Sequence, residues 1–213
     1  MNIPKRNEHN REKILQTGME LFNRKGYHGT GLKEILDTCQ VPKGSFYNYF
    51  ESKEQFAVEV LEYSHQLEDE KWGQRTSSIE GNLLEQFCLA LNLFIADYEQ
   101  DPDATGCLLT NMMGEIGNAS DSFREIISLS CNRVINCIEE HFKEGQLQGC
   151  FRDDLPARAM AQLFWDSWQG ALLRTKVEAS TTPLREVADT IYKLYAPLEN
   201  PATNTKDGDK NEI

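Results

Sequence analysis

The sequence has no apolar run approaching the roughly 20 residues that a membrane-spanning helix needs. Its first 13 residues are charged and lack the apolar core of a secretory signal, so we expect a cytoplasmic protein with no membrane partner. The six cysteines include no C-x-x-C pair and the four histidines are scattered, which argues against a metal site and favours free thiols. No glycine-rich phosphate loop and no nucleophile–base pair is evident, so neither a cofactor nor catalysis is expected.

Basic residues are the scarcer charge. The chain of 213 residues has 22 lysines and arginines against 34 aspartates and glutamates, a net charge of −12, which opposes nucleic-acid binding at long range. The distribution is uneven, however, because residues 1–60 hold nine bases and eight acids, whereas residues 61–213 carry a net charge of −13. This asymmetry predicts two parts with different partners.

Alternating strand patterns are also lacking, and apolar residues recur instead with the spacing of amphipathic helices. The predicted fold class is all-α: an N-terminal three-helix helix-turn-helix DNA-binding domain (1–53), then a larger helical regulatory and dimerisation domain (54–198). The polar residues 199–213 are predicted to be a disordered tail. A capping box formed by Ser52 and Gln55 predicts the start of a long helix that joins the two parts.

The DNA-reading element is predicted in residues 30–50. A short helix at 32–39 is followed by a break at 40–42 and a third helix at 43–50, which is the spacing of a helix-turn-helix. No acid occurs between residues 38 and 50, and the polar groups of KGSFYNYF can donate to phosphates or meet base edges. Phe46 and Phe50, four residues apart, are predicted to face inward. A small helical bundle with an aromatic core is the competing interpretation.

This stretch resembles the DNA-binding domain of the TetR family of bacterial repressors. The similarity lies in Gly26, Tyr27, Thr30, Ile35, Val41, the pattern Gly44-x-x-Tyr47-x-x-Phe50, and Lys53. The family binds palindromic double-stranded operator DNA as a homodimer, with one copy of the element in each of two successive grooves. Pro42 and Tyr49 depart from the residues usual in the family, so the operator sequence stays open.

The resemblance also implies a role for individual side chains. Thr30 would cap the second helix and touch a phosphate, and Tyr47 and Lys53 would hold the DNA backbone. The groups facing the major groove would be Lys43, Ser45, Asn48 and Tyr49. Gly44 has no Cβ and would let the main chain approach DNA closely. Further phosphate contacts would come from the basic N-terminal residues Lys5, Arg6, Arg11 and Lys13; the alternative is that they form a solvated flexible tail.

The last two predicted helices, at 156–179 and 183–196, carry wide apolar faces. In the family, the equivalent helices of two subunits pack as a four-helix bundle. We therefore predict a homodimer interface formed by Phe164, Trp165, Trp168, Ala171, Leu172, Val187, Ile191, Leu194 and Tyr195. The alternative is that the same residues close the core of one subunit.

An electrophile- or oxidant-responsive site is predicted at Cys107. Thr105 is a candidate N-cap for a helix at 105–116, which would put Cys107 in a first turn, where backbone N–H groups lower the pKa of a thiol. The stretch around Cys107 also resembles the NemR-type branch of the family, whose members release DNA when a cysteine here is modified. Lys176 would stabilise the thiolate or bond to an oxidised sulfur. An inert cysteine and a solvated lysine are the alternatives.

Release by a noncovalent apolar small molecule is the alternative function. Its pocket would be lined by residues that an ordinary core would equally contain: Phe87, Leu91, Phe94, Met112, Trp165 and Trp168. Two remoter functions are a DNA-free interaction module, which the net charge favours, and a helical enzyme, for which Glu115 and His141 are isolated candidates.

Overall fold

The computed structural model describes residues 6–76, 79–100 and 106–198. Within those ranges all regular secondary structure is helical, which confirms the predicted fold class. None of these helices is both long enough and apolar enough to span a membrane. Thr105 and the predicted tail at 199–213 lie outside the described residues. The helices are α1 (Arg6–Lys25), α2 (Leu32–Cys39), α3 (Lys43–Phe46), α4 (Lys53–Thr76), α5 (Leu83–Gln100), α6 (Leu108–Ile116), α7 (Asp121–Leu147), α8 (Ala157–Glu178) and α9 (Thr182–Tyr195).

Side-chain caps mark the start of two of the long helices, α4 and α7. At α4, the N–H of Gln55 donates to Ser52 Oγ at 3.0 Å, and Gln55 Oε1 accepts from the N–H of Glu51 at 2.6 Å, close to the predicted capping box. At α7, Ser120 Oγ accepts from the N–H of Phe123 at 3.2 Å. Such caps satisfy backbone donors that the first helical turn leaves unpaired.

Two hydrophobic cores organise the chain. The first joins α1, α2 and α3 to the beginning of α4, to α6 and to the N-terminal part of α7; Phe56 and Val60 of α4 are fully buried in it. The second joins α5, the end of α7, α8 and α9. The predicted domain boundary at 53/54 therefore crosses a continuous core, and the DNA-reading helices share apolar packing with the regulatory part.

Candidate nucleic-acid interface and sensor site

A cluster of buried aromatic rings holds the DNA-reading segment. Phe46 and Phe50 are buried, as predicted, and their ring centres lie 5.1 Å apart. Both pack on Phe56 of α4, at 5.4 and 4.9 Å, and Phe56 packs on Phe22 of α1 at 5.7 Å. This aromatic cluster packs α3 and the turn after it against α1 and α4.

The polar side chains of the segment face outward. Lys43, Gly44, Tyr47 and Asn48 are exposed, and Tyr47 has 53% of its surface accessible. Ser45 is half-buried. The net result is a small surface with amide, hydroxyl and ammonium groups and no carboxylate on the segment itself.

The third helix is shorter than predicted. It ends at Phe46 instead of residue 50, because the chain then tightens into a turn in which the N–H of Tyr49 donates to the carbonyl of Phe46 at 2.9 Å. The turn draws Tyr49 back, and its half-buried ring packs against the first core. Tyr49 therefore offers the groove less of its side chain than the family comparison implied.

Thr30 does not have the predicted capping role. The N-cap of α2 is Gly31, and only 1% of Thr30 is exposed. The Thr30 hydroxyl lies 2.8 Å from the carbonyl oxygen of Gly26 and 3.2 Å from that of Leu21. Its side chain braces the end of α1 from inside, so it cannot reach a phosphate.

Lys53 is also turned away from the predicted DNA contact. Its Nζ donates to the carbonyl oxygen of Tyr27 at 2.6 Å and lies 4.1 Å from the centre of the Tyr27 ring. Burial lowers the pKa of Lys53. In this arrangement Lys53 supports the loop between α1 and α2 instead of gripping the DNA backbone.

The basic N-terminal residues behave differently from one another. Arg11 forms an ion pair with Glu59 of α4 and its guanidinium lies 5.7 Å from the Phe50 ring centre, so it stiffens the domain. Lys13 is exposed, as a phosphate contact requires. Lys5 and the side chain of Arg6 lie outside the described residues.

Cys107 occupies the N-cap position of α6, one residue before the helix, and is partly buried. Burial dominates its protonation and raises the pKa of the thiol, while the backbone N–H and hydroxyl of Thr110 oppose this effect without reversing it. The predicted lowering of the pKa is therefore wrong for this conformation. The helix N-terminus does reach the sulfur, but desolvation outweighs it.

Lys176 of α8 lies beside this cysteine. A Cβ built on Gly106 would stand 3.1 Å from Lys176 Cε and 3.7 Å from Nζ, so the lysine end covers the main chain immediately before Cys107. Although the residue is exposed as a whole, Lys176 Nζ donates to Asn111 Oδ1 of α6. Burial lowers the pKa of its ammonium, and the nearby Cys107 opposes that shift. The predicted pairing of Cys107 and Lys176 thus has a geometric basis.

Alkylation of the reduced protein with iodoacetamide should reach Cys137 well before Cys107. Cys137 is exposed, whereas Cys107 is partly buried with a raised pKa. Because the thiolate is the reactive form, the rate at Cys107 should still be rising at pH 9.0, the ordinary value for a thiol. Peptide mass spectrometry over a pH series measures both rates. A Cys107 that reacts faster than Cys137 at neutral pH would contradict the dominance of burial.

Both parts of the chain match models of known protein families. Residues 14–60 match the family model described as bacterial regulatory proteins, tetR family. Residues 84–191 match that of the tetracyclin repressor-like C-terminal domain. This protein belongs to the TetR family. Regulators of this family bind operator DNA, act as dimers and respond to small molecules, and the DNA-binding assignment made from residues 26–56 is confirmed.

Relatives of this TetR-family protein match over most of their length. The transcriptional repressor DhaR of Mycobacterium sp. (strain GP1) is 32% identical over 91% of this chain and 96% of its own. The transcriptional repressor NemR of Escherichia coli (strain K12) is 30% identical over 90% and 97%. Among solved structures, the reduced form of E. coli NemR has a TM-score of 0.81 at 29% identity and covers 88% of this chain and 97% of that one.

The six predicted pocket residues of the TetR-family chain are packed as core. Met112 and Trp165 belong to the first core, while Phe87, Leu91, Phe94 and Trp168 pack in the second. The Phe87 ring, for example, meets the ring of Phe164 at 4.9 Å. Because the set is divided between two cores, the prediction that it lines one pocket is not supported.

A cleft of about 630 Å³ opens elsewhere, where α1, α6 and α8 meet. Its apolar walls include Met113 and Leu173, and its polar lining includes Gln169, Arg24 and Lys176. Among the described residues that line it there is no acid, in a chain of strongly acidic composition. Sequence reasoning missed this cleft because its walls come from three helices that are far apart in the chain.

The faces of α8 and α9 are arranged differently from the prediction. Phe164, Trp165, Trp168, Ala171, Leu172, Ile191 and Tyr195 are all buried within the subunit. Of the predicted residues, Leu194 is exposed, and the same helices also expose apolar side chains that were not predicted, namely Leu163, Leu173, Val177 and Tyr192. A groove of about 190 Å³ between Leu163, the half-buried Val187 and Leu194 marks where the two exposed faces meet.

The two isolated enzyme candidates, Glu115 and His141, both have hydrogen-bond partners in the fold. In the part of the chain that the structure describes, no group of three or more His, Cys, Asp or Glu side chains is suited to holding a metal ion. His141 Nε2 lies 3.0 Å from the carbonyl oxygen of Leu83, and the Glu115 carboxylate accepts backbone N–H groups. Both enzyme candidates thus have partners that hold the fold together.

Proposed function

We propose that this TetR-family protein is a cytoplasmic transcriptional repressor that binds a palindromic operator as a homodimer and is released by an inducer. The observation that carries the proposal is the exposed, carboxylate-free surface of residues 43–48, held rigidly by the aromatic cluster. Two relatives that match over almost their whole length are named repressors. A polar helix and turn of this kind suits base edges and phosphates in a major groove.

Dimerisation is proposed through the exposed faces of α8 and α9. Their accessible apolar side chains are Leu163, Leu173, Val177, Tyr192 and Leu194, of which Leu163 and Leu194 line one groove, and such groups would be costly to leave in water. A two-fold arrangement would place the same surface against itself. It would also present two reading segments to one duplex, because a palindromic operator mirrors the symmetry of the protein.

The inducer is proposed to be an electrophile or an oxidant acting at Cys107. The support is the placement of Lys176 against the residue before Cys107, together with its lowered pKa, which makes the neutral amine more available. An oxidant that converts the thiol to a sulfenic acid would let this amine displace water and form a sulfur–nitrogen bond. The net change is the loss of two hydrogens, about 2 Da. The thiol is oxidised, and the reagent supplies the oxidising equivalents.

A noncovalent inducer is the second candidate, and the cleft between α1, α6 and α8 favours it. The cleft combines apolar walls with donors such as Lys176 and Gln169, which is the usual make-up of a small-molecule site. It also borders the end of α1, so an occupant would touch the DNA-binding part directly.

Replacing Cys107 with Ser should preserve operator binding and remove its release by quinone or hypochlorite. Serine retains the shape of the N-cap but lacks the oxidisable sulfur. Fluorescence anisotropy with DNA from the upstream intergenic region measures affinity before and after treatment, and intact mass measures modification. We expect at least a tenfold loss of affinity in the treated wild type, the range of coupling common between two sites.

Cys137→Ser is the matched control, since Cys137 is the exposed cysteine of the six. It should bind and be released like the wild type. If Cys107→Ser were still released by the same reagents, the inducer site would pass to another thiol or to the cleft. Failure of the untreated wild type to bind the intergenic DNA would remove the repressor proposal itself.

A further inference from the structure

The helix that begins at the sensor cysteine holds the end of α1 at two points. Asn111 Nδ2 of α6 donates to Asn23 Oδ1 of α1 at 3.1 Å. One turn further along α6, the carboxylate of Glu115 accepts the backbone N–H of Tyr27 at 2.8 Å and that of His28 at 2.6 Å. Residues four apart share a helix face, so both contacts come from the same side of α6.

The Glu115 carboxylate accepts two hydrogen bonds, and its negative charge strengthens both. Oε2 takes the N–H of Tyr27 and Oε1 takes that of His28, so each carboxylate oxygen has its own backbone donor. Gly26 makes room for this, because its φ is +74° and a Cβ built on it would overlap Glu115 Oε2. The glycine-tyrosine pair after α1 thus shapes a binding place for the carboxylate of a distant helix.

The loop that Glu115 contacts leads directly into α2 and, after it, α3. It joins α1 to α2, and the long helix α4 also contacts it, because Lys53 Nζ donates to the Tyr27 carbonyl. The ring of Tyr27 meets that of Phe123 in α7 at 5.1 Å, edge to face. Tyr27 is therefore contacted by α4, α6 and α7 together.

The N-terminal end of α6 lies next to Cys107 and Lys176, the two residues proposed to sense the inducer. α6 begins directly after Cys107, and Lys176 Nζ donates to Asn111 Oδ1. Asn111 then donates to Asn23 of α1. A continuous series of hydrogen bonds therefore runs from Lys176 through Asn111 to Asn23 of α1 in the DNA-binding part. This series does not pass through α4, the helix that joins the two parts.

We propose that Glu115 is the positioning residue that transmits the state of α6 to the DNA-binding helices. With its carboxylate on the Tyr27 and His28 N–H groups, the loop holds α3 at the spacing that the operator requires. A displacement of α6 withdraws the carboxylate from both donors and releases the loop. The proposal rests on the proposed function for the event that displaces α6, which is the modification of Cys107. The contact between Glu115 and the Tyr27 and His28 N–H groups, which we call the latch, acts in the same way whatever displaces α6.

Glu115→Gln tests the latch. Glutamine keeps the size of the side chain, but its amide nitrogen presents a donor to a backbone donor, so at least one of the two bonds is lost. We expect untreated Glu115→Gln to bind the operator about tenfold more weakly than the wild type, the order of one charge-assisted bond. Amide exchange at Tyr27 and His28 should accelerate. The ratio of operator Kd between treated and untreated protein should fall towards one.

Glu125→Gln is the control, because Glu125 is an exposed carboxylate on α7 and the change in charge is identical. It should match the wild type in all three measurements. Gly26→Ala attacks the same contact from the loop side and should reproduce the loss of coupling. Circular dichroism and thermal unfolding confirm that each variant is folded.

The outcomes separate the latch from the proposed trigger. Wild-type operator affinity and wild-type release in Glu115→Gln would overturn the latch. Faster exchange at Tyr27 and His28 with unchanged operator affinity would also overturn it, since the contact would then be only structural. If the wild type is not released by thiol reagents, the trigger at Cys107 fails, while the affinity and exchange of Glu115→Gln still decide the latch.

Discussion

Operator affinity should fall by about two orders of magnitude when Lys43 and Tyr47 are both replaced by alanine. Each dimer would lose four exposed groups from the reading segment, and even about 0.7 kcal/mol for each amounts to roughly a hundredfold in Kd. Loss of one lysine per subunit should also reduce the slope of log affinity against log salt, by up to about two, because the dimer would bring two fewer cations to the duplex and release fewer counterions. Anisotropy titrations at several salt concentrations measure both quantities.

Lys143→Ala is the control for the loss of positive charge. Lys143 is exposed on α7, where it pairs with Glu139 and Glu140, and it belongs to the regulatory part. Its removal should leave the salt slope unchanged. Because Lys43 and Tyr47 are exposed, the double variant should unfold at the temperature of the wild type. Unchanged affinity in a folded double variant would contradict the assignment of residues 43–48 as the reading surface.

The helical framework was predictable because its signals are local. Apolar periodicity reports which face of a helix is buried, and it correctly placed Phe46 and Phe50 in the interior. The capping-box pattern of Ser52 and Gln55 likewise predicted the start of α4 from residues that are close together in the sequence. Such signals fix where helices begin and which side faces inward.

Side-chain roles that depend on distant partners were not predictable. Thr30 and Lys53 both match the family pattern, yet one bonds to carbonyls at the end of α1 and the other to Tyr27. Glu115 appeared isolated in the sequence because its partners are backbone N–H groups 87 and 88 residues away. A pattern of side-chain types gives no information about a backbone partner that is distant in the sequence.

The pKa of the Cys107 thiol depends on two opposing effects, and their relative size decides its protonation. Sequence reasoning considered the helix N-terminus, which lowers the pKa of a thiol, and that effect is present through Thr110. It could not weigh the desolvation caused by packing against helices elsewhere in the chain, which is the larger effect here. The thiol is consequently more protonated at neutral pH than the local sequence suggests.

The dimer surface shows why two apolar faces of one helix are hard to assign. On α8 the tryptophans and Phe164 form the larger face, and the subunit uses them for its own core. The smaller face, with Leu163 and Leu173, is left exposed. Large aromatic side chains make the strongest pattern in a sequence, but the same property makes them the first to be buried inside a single chain.

A glutamate at Leu163 should convert the dimer to monomers and abolish tight operator binding. Leu163 is 52% exposed and lines the groove between α8 and α9, and two-fold symmetry would place two new carboxylates in one apolar interface. Burying each unpaired charge costs several kcal/mol, enough to remove most dimer at micromolar concentration. Analytical ultracentrifugation should then report the subunit mass of 24.4 kDa.

Operator affinity provides the second readout, because one subunit can engage only one half-site. We expect a loss of at least a hundredfold in affinity for the full palindrome, since the two half-sites no longer bind as a unit. Leu147→Glu is the matched control: Leu147 is 85% exposed at the end of α7, outside the groove, and should leave both mass and affinity unchanged. A Leu163→Glu protein that remains dimeric would move the interface away from α8 and α9. A monomer that still binds the palindrome tightly would show that paired reading segments are not required.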